Sequence, residues 1–263
     1  MGLIKTKGLI LAQNNMGDYD KMCTLLTPDL GKIGCSAKGA RRAKSTLMAG
    51  TQFLCFGDFL IYKGASSYHI NSCEPIEIFY NLRLDIDKLT YAKKKKKIVN
   101  DVTDENQNTY RILQLTLNTI YMLSESDKDM EFIYSIFKIR LLSIIGFRPI
   151  IDKCTNCGSK ENLRYFSFRD SGLESCGRQD KGAVEISDTT IKAIRYIVMS
   201  DAKKIYSFDL SDENKNELKL VSKIYLNDCL DKEYEWLALT YILLLGDTIK
   251  QIEEYIKEID EKK

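Results

Sequence analysis

The sequence predicts an α+β protein in three parts, and three observations predict it. The first 80 residues carry five short apolar segments separated by Gly- and Pro-bearing turns. From Leu82 onward the apolar residues recur at helical spacing. Between them and the last helices lies a short polar stretch, 150–183, that holds Cys154, Cys157 and Cys176. The expected organisation is a barrel over 1–80, a helical domain over 81–149 and 184–263, and a ribbon-like insertion over 150–183.

The strands are expected at 3–13, 21–27, 32–37, 51–62 and 68–78. Five strands in so short a span suit a small closed barrel, of the OB or the SH3 kind. Tyr19, Phe53, Phe56, Tyr62 and Tyr68 are candidate stacking surfaces, although Phe53 and Phe56, three apart on one strand, would face opposite ways. The third strand opens into the loop AKGARRAKS. Between Lys32 and Lys44 the strand and loop together carry five basic side chains, Lys32, Lys38, Arg41, Arg42 and Lys44, and no acidic one, whereas the whole chain is balanced at 39 Lys+Arg to 37 Asp+Glu. A local excess of this sign suits phosphate, and Gly39 and Ala40 permit close approach of a nucleic-acid backbone. The same residues would also serve as a solvated loop that keeps a strand edge from pairing.

The first helical stripe is Leu82, Ile86 and Leu89, and its continuation meets the five lysines Lys93, Lys94, Lys95, Lys96 and Lys97. Like charges repel and unpaired charge resists burial, so this helix is expected to fray, turn outward or present a second basic patch. Tyr110, Leu113, Leu117, Ile120 and Tyr121 mark the next helix; Met130, Ile133, Phe137, Leu141, Ile144 and Ile145 mark a third, ended by Gly146 and Pro149. In the insertion, Cys154-Thr155-Asn156-Cys157-Gly158 has the spacing of a metal knuckle. Cys176 has the position of a third ligand, but Gln179 stands where a fourth is expected. Asp180 is the nearest substitute; the alternatives are three thiolates closed by water around one zinc ion, or a ribbon that folds without metal. Ser187 caps a helix carrying Ile191, Ile194, Ile197 and Val198; another carries Leu218, Val221, Ile224, Tyr225 and Cys229; a long last one spans 236–256.

Composition narrows the chemistry. One histidine, His69, leaves no room for multi-histidine metal centres and little for histidine-based triads. No G-x-x-x-x-G-K-[ST] loop is present, and no carboxylates cluster as a metal-dependent nuclease requires. The N-terminus lacks a secretory pattern and no apolar run is long enough to span a bilayer, so a reducing cytoplasmic setting is expected, with eight cysteines as thiols. Such a chain binds and remodels rather than converts.

LTPDLGKIGCSAKGARR, the preceding GDYDKM, and FKIRLLSIIGFRP followed by CTNCG resemble, in order and spacing, the bacterial recombination mediator family RecO. The resemblance covers most of residues 1–180 and favours the OB-fold for the barrel. It implies a non-enzymatic DNA-repair protein at the nucleoid that binds single-stranded DNA, with duplex DNA a further candidate ligand. Its implied partners are single-strand-binding protein and RecR, and its implied actions are recombinase loading and strand annealing. Many relatives carry four cysteines in the ribbon, a pattern from which Gln179 departs. A tail of single-strand-binding protein would need an apolar pocket rimmed by cations, for which Lys219, Lys223 and Lys232 are nearby candidates. The alternative is an OB-fold and zinc-ribbon module that binds RNA.

Overall fold

The computed structural model describes residues 2–65, 67–175 and 182–234. Five strands, β1 (Gly2–Met16), β2 (Asp20–Thr27), β3 (Gly31–Ala37), β4 (Phe56–Lys63) and β5 (Tyr68–Glu77), close into a barrel in the order β1-β2-β3-β5-β4. All neighbours are antiparallel except β3 and β5, which pair in parallel at Cys35 with Tyr68 and Ser36 with His69. This order, with the single parallel contact, fits an OB-fold. Inward residues alternate along the strands: Cys23 and Leu25, Ile33 and Cys35, Phe59 and Ile61 form one buried cluster. Cys23 and Cys35 are cross-strand partners in that interior. Burial pushes their thiols up to about 11 and about 12, so they behave as small apolar groups.

The fourth strand begins five residues later than its sequence suggests. A short helix, α1 (Leu47–Gly50), precedes it, and Leu54 takes a left-handed φ of 62°. Leu54 and Cys55 then exchange backbone hydrogen bonds with Ile10, beside the bulge in β1. Phe53 is therefore outside the strand, and its facing cannot be read from strand alternation.

The stripe through Leu82, Ile86 and Leu89 is two helices, α2 (Tyr80–Leu84) and α3 (Ile86–Asp101). Asp85 is extended between them and caps α3, accepting from the amides of Asp87 and Lys88. The break resets the register: Ile86 is exposed, and Ala92, Lys95, Ile98 and Val99 are buried. The expectation that the lysine run frays or turns outward is overturned, since α3 runs unbroken through it. Lys95 alone enters the core, where its Nζ donates to the Thr116 carbonyl at 2.9 Å and lies 5.9 Å from the Phe137 ring centroid. Lys94 lies over Tyr91 and Lys96 over Phe53. In both, the ammonium group itself sits over the ring, a cation–π contact.

α4 (Tyr110–Glu125) buries Ile112, Leu113, Leu115 and Ile120, leaving Tyr110 and Tyr121 exposed. α5 (Met130–Ile144) is buried on nearly every side from Phe132 to Leu142, and serves as the axis of the helical part. Gly146, at φ 108°, ends that segment. β6 (Tyr165–Ser167), β7 (Gly172–Glu174) and β8 (Val184–Glu185) form a small antiparallel sheet in the order β7-β6-β8. α6 (Asp188–Met199) starts at Ser187, whose hydroxyl accepts from the Thr190 amide, and α7 (Asp212–Leu230) buries Leu218, Val221 and Tyr225. The helix expected over 236–256 lies outside the described residues.

The barrel is joined to the helices by backbone. Gly31, at φ 72°, approaches Asp104 so closely that a Cβ would stand 2.1 Å from its carbonyl oxygen. Lys32, Asn106 and Thr109 amides donate to the carbonyls of Asp104, Leu30 and Pro28. The TPDLG turn is thus a docking piece as well as a hairpin.

Candidate nucleic-acid interface

β3 runs straight into the basic loop, and the loop is folded rather than free. Gly39, at φ 65°, turns the chain, and its amide donates to the Asp20 carboxylate at 2.7 Å. The Arg41 amide donates to the Tyr19 carbonyl at 2.9 Å, and its guanidinium donates to the Gly17 carbonyl at 3.0 Å. Arg42 lies 5.2 Å from the centroid of the Tyr19 ring. Ala40 is buried in the barrel core and pins the loop from beneath. GDYDK and KGARR, separated in sequence, are one surface in space.

Lys38, Arg41, Arg42 and Lys44 are exposed on that surface, and among the described residues none of them forms an ion pair with a carboxylate. Asp20, the acid that meets the loop, is engaged by the Gly39 amide. Lys21 joins the patch unannounced by the loop sequence. Burial lowers its ammonium pKa and neighbouring Arg41 presses the same way, while its Nζ donates to Gln13 at 2.7 Å. Lys32 is elsewhere: its Nζ donates to the Asn100 carbonyl at the end of α3. Such an arrangement can contact successive phosphates but holds no nucleophile or general base.

The aromatic candidates separate by exposure. Tyr19, at 54%, and Tyr62, at 36%, face solvent; Tyr68 is buried, with its hydroxyl donating to Glu105. Phe53 and Phe56 are half-buried.

A second basic feature is a cleft of ≈ 360 Å³ beside α4, α5 and the end of α6. Arg111, Arg140 and Arg148 stand on its wall with one acid, Asp201, and Ile144, Val198 and Met199 supply apolar lining. Burial lowers the pKa of Arg140 and the charge of Arg111 adds to that; its guanidinium is fixed by bonds to the Ile197 and Val198 carbonyls. Lys219, Lys223 and Lys232 are not among the lining residues. FKIRLLSIIGFRP carries two of its arginines, Arg140 and Arg148, eight residues apart at either side of the end of α5, but nothing in that stretch points to Arg111 on α4.

In the insertion, the Cys154 sulfur accepts from the Ser175 amide at 3.3 Å, and the Cys157 sulfur lies 3.5 Å from the Ser175 hydroxyl, so both sulfurs converge on Ser175. Burial pushes the Cys154 thiol up, but amides of Cys157, Ser175 and Asn156 outweigh it and bring the thiol down to about 5. A thiolate stabilised this way suits a zinc knuckle. Cys176, Gln179 and Asp180 lie outside the described residues, and among the described residues no three Cys, His, Asp or Glu side chains are gathered for a metal.

Residues 1–79 match the family model described as Recombination protein O N terminal, and residues 83–235 match Recombination protein O C terminal. The chain is similar to a DNA repair protein RecO of Acetivibrio thermocellus, 44% identical over 237 residues that cover 89% of this chain and 94% of that one. It is similar to others so named from Alkaliphilus metalliredigens, at 35% identity covering 88% and 95%, and Caldicellulosiruptor bescii, at 34% covering 89% and 96%. No helix among the described residues is long and apolar enough to cross a membrane. With both family models matched in order and relatives alike over almost their full length, the chain belongs to the RecO family of DNA repair proteins.

Proposed function

We propose that this chain is a non-enzymatic recombination mediator whose barrel and 38–44 loop bind single-stranded DNA. The observation that carries the reading is the loop itself: four exposed cations on a scaffold fixed by Asp20, Tyr19 and Gly17. Contacts of this kind are sequence-blind and salt-sensitive, so a strand can be handed on without being trapped. Single-strand-binding protein and RecR are the proposed partners, with recombinase loading and strand annealing as the outcome. The cleft of Arg111, Arg140 and Arg148 has the chemistry to seat an acidic, apolar tail of single-strand-binding protein, because cations at an apolar pocket select that combination.

The test is fluorescence anisotropy of a labelled single-stranded oligonucleotide across a salt series. Each phosphate neutralised contributes about 0.7 to the slope of log affinity on log salt, so the charge reversal R41E/R42E is expected to remove roughly 1.4 and lower affinity several-fold. A folded double variant that binds like the native protein overturns the loop assignment. An equal-length RNA that outcompetes the DNA favours the RNA-binding alternative.

A further inference from the structure

We propose that Tyr62, held by His69, is a base-stacking platform that continues the path of a single strand from the basic loop across the outer face of the barrel. The inference rests on the single-strand reading above and adds the part of the ligand that the loop cannot recognise, its bases.

Tyr62 on β4 and His69 on β5 are cross-strand partners, and their rings lie nearly parallel, with centroids 6.4 Å apart and planes at 21°. His69, the chain's single histidine, is fixed from both sides: Nδ1 lies 2.6 Å from the Ser36 hydroxyl and Nε2 lies 3.1 Å from the Ser67 hydroxyl. A locked imidazole leaves its neighbour little freedom, so an arriving base stacks on Tyr62 with a small ordering cost. Leu3 on β1, paired with Tyr62 and 61% exposed, extends the apolar surface on the other side.

Position connects this platform to the loop. Ser36, which holds His69, is two residues before Lys38 and sits on the strand that becomes the basic loop. Cross-strand pairing sets Met22 on β2, Ser36 on β3, His69 on β5 and Tyr62 on β4 in one row over three strand spacings, about 14 Å, with Ser36 buried beneath it. So short a row is spanned by part of the roughly 4–16 nucleotides that an OB-type barrel covers. Asp58, the carboxylate on the same outward face of β4, is neutralised by Lys7 at 3.0 Å, so an anionic backbone meets no free acid from it. An exposed Tyr–His pair can also be mere cross-strand packing, which makes no demand on bases; the experiment separates the two.

Affinity is measured for three labelled ligands: a thymidine oligonucleotide, an abasic oligonucleotide of equal length, and a duplex hairpin. The variants are Y62A, Y62F, H69A and R41E/R42E, each with its fold verified by circular dichroism. A platform predicts that Y62A loses roughly tenfold on thymidine, nothing on the abasic strand and nothing on duplex, with an unchanged salt slope. Y62F retains binding, and H69A, as a positioning change, loses less than Y62A. Equal thymidine affinity for Y62A and the native protein, or equal losses on all three ligands, overturns the platform. If R41E/R42E is neutral while Y62A is not, the loop reading fails and the platform stands; the reverse result leaves the loop and removes the platform.

Discussion

Lys95 shows how a single side chain can defeat a pattern. Residues 93–97 are identical in type, yet their surroundings differ: Lys97 is exposed, Lys94 and Lys96 lie over rings, and Lys95 is fully enclosed with one carbonyl partner. Burial lowers its pKa well below the usual lysine value near 10.5. The unfolded chain then binds the proton that the folded chain refuses, so this residue costs stability at neutral pH, and the cost fades as pH rises toward 10.5. K95M, similar in length and apolar, is expected to stabilise the fold by about 1–3 kcal/mol at pH 7. In thermal melts from pH 7 to 10, its advantage over the native protein should shrink as pH rises; a constant or negative difference would show that Lys95 is tolerated as a charge. No one-letter pattern announces which of five lysines goes inward. That was fixed by Asp85, whose cap resets the helix register eight residues before the run begins at Lys93 and ten before Lys95.

At the scale of elements, the strands were legible because turns punctuate them: TPDLG and the glycines of the connections set their ends. The exception, the late start of β4, depends on Leu54 in a left-handed conformation, which a leucine does not advertise. Helices α6 and α7 were legible from Ser187 and from the burial of Ile191, Ile194, Ile197 and Tyr225. On α4 the tyrosines misled, since Tyr110 and Tyr121 are exposed and the buried face is turned toward Ile112 and Leu115. The cysteine knuckle was legible as a motif, and its sulfurs do turn toward a common side. We propose that Cys154 and Cys157 supply two of the ligands of one zinc ion. Metal analysis of protein purified without chelator should find about one zinc per chain, and C154S/C157S should find none. Native protein free of zinc would support a ribbon that folds unaided.

For the molecule as a whole, a net charge of +2 hides two segregated basic surfaces, one at the 38–44 loop and one at the arginine cleft. The loop was legible because its cations are contiguous. The cleft was not, because Arg111, Arg140 and Arg148 come from α4, α5 and the segment after it, and only tertiary packing brings them together. Separation of the surfaces predicts separable losses. R111E/R148E, which spares the internally bonded Arg140, should abolish anisotropy changes with a labelled acidic, apolar tail peptide of single-strand-binding protein while leaving oligonucleotide affinity within about twofold. Unchanged peptide binding would remove the cleft as the tail's seat.

The junction at Gly31 bears on where this protein can be cut. Sequence comparison divides the chain between residues 79 and 83, as though two portable modules met there. The barrel, however, borrows part of its own hairpin's hydrogen bonding from residues 104–109: Lys32 gives its amide to Asp104, and Pro28 and Leu30 lend their carbonyls to Thr109 and Asn106. A fragment ending at 79 would leave those groups without partners and strip the cover from Gly31. The seam seen by comparison and the seam along which the molecule could come apart are therefore different lines, and a gene fragment designed on the first would carry a wound at the second.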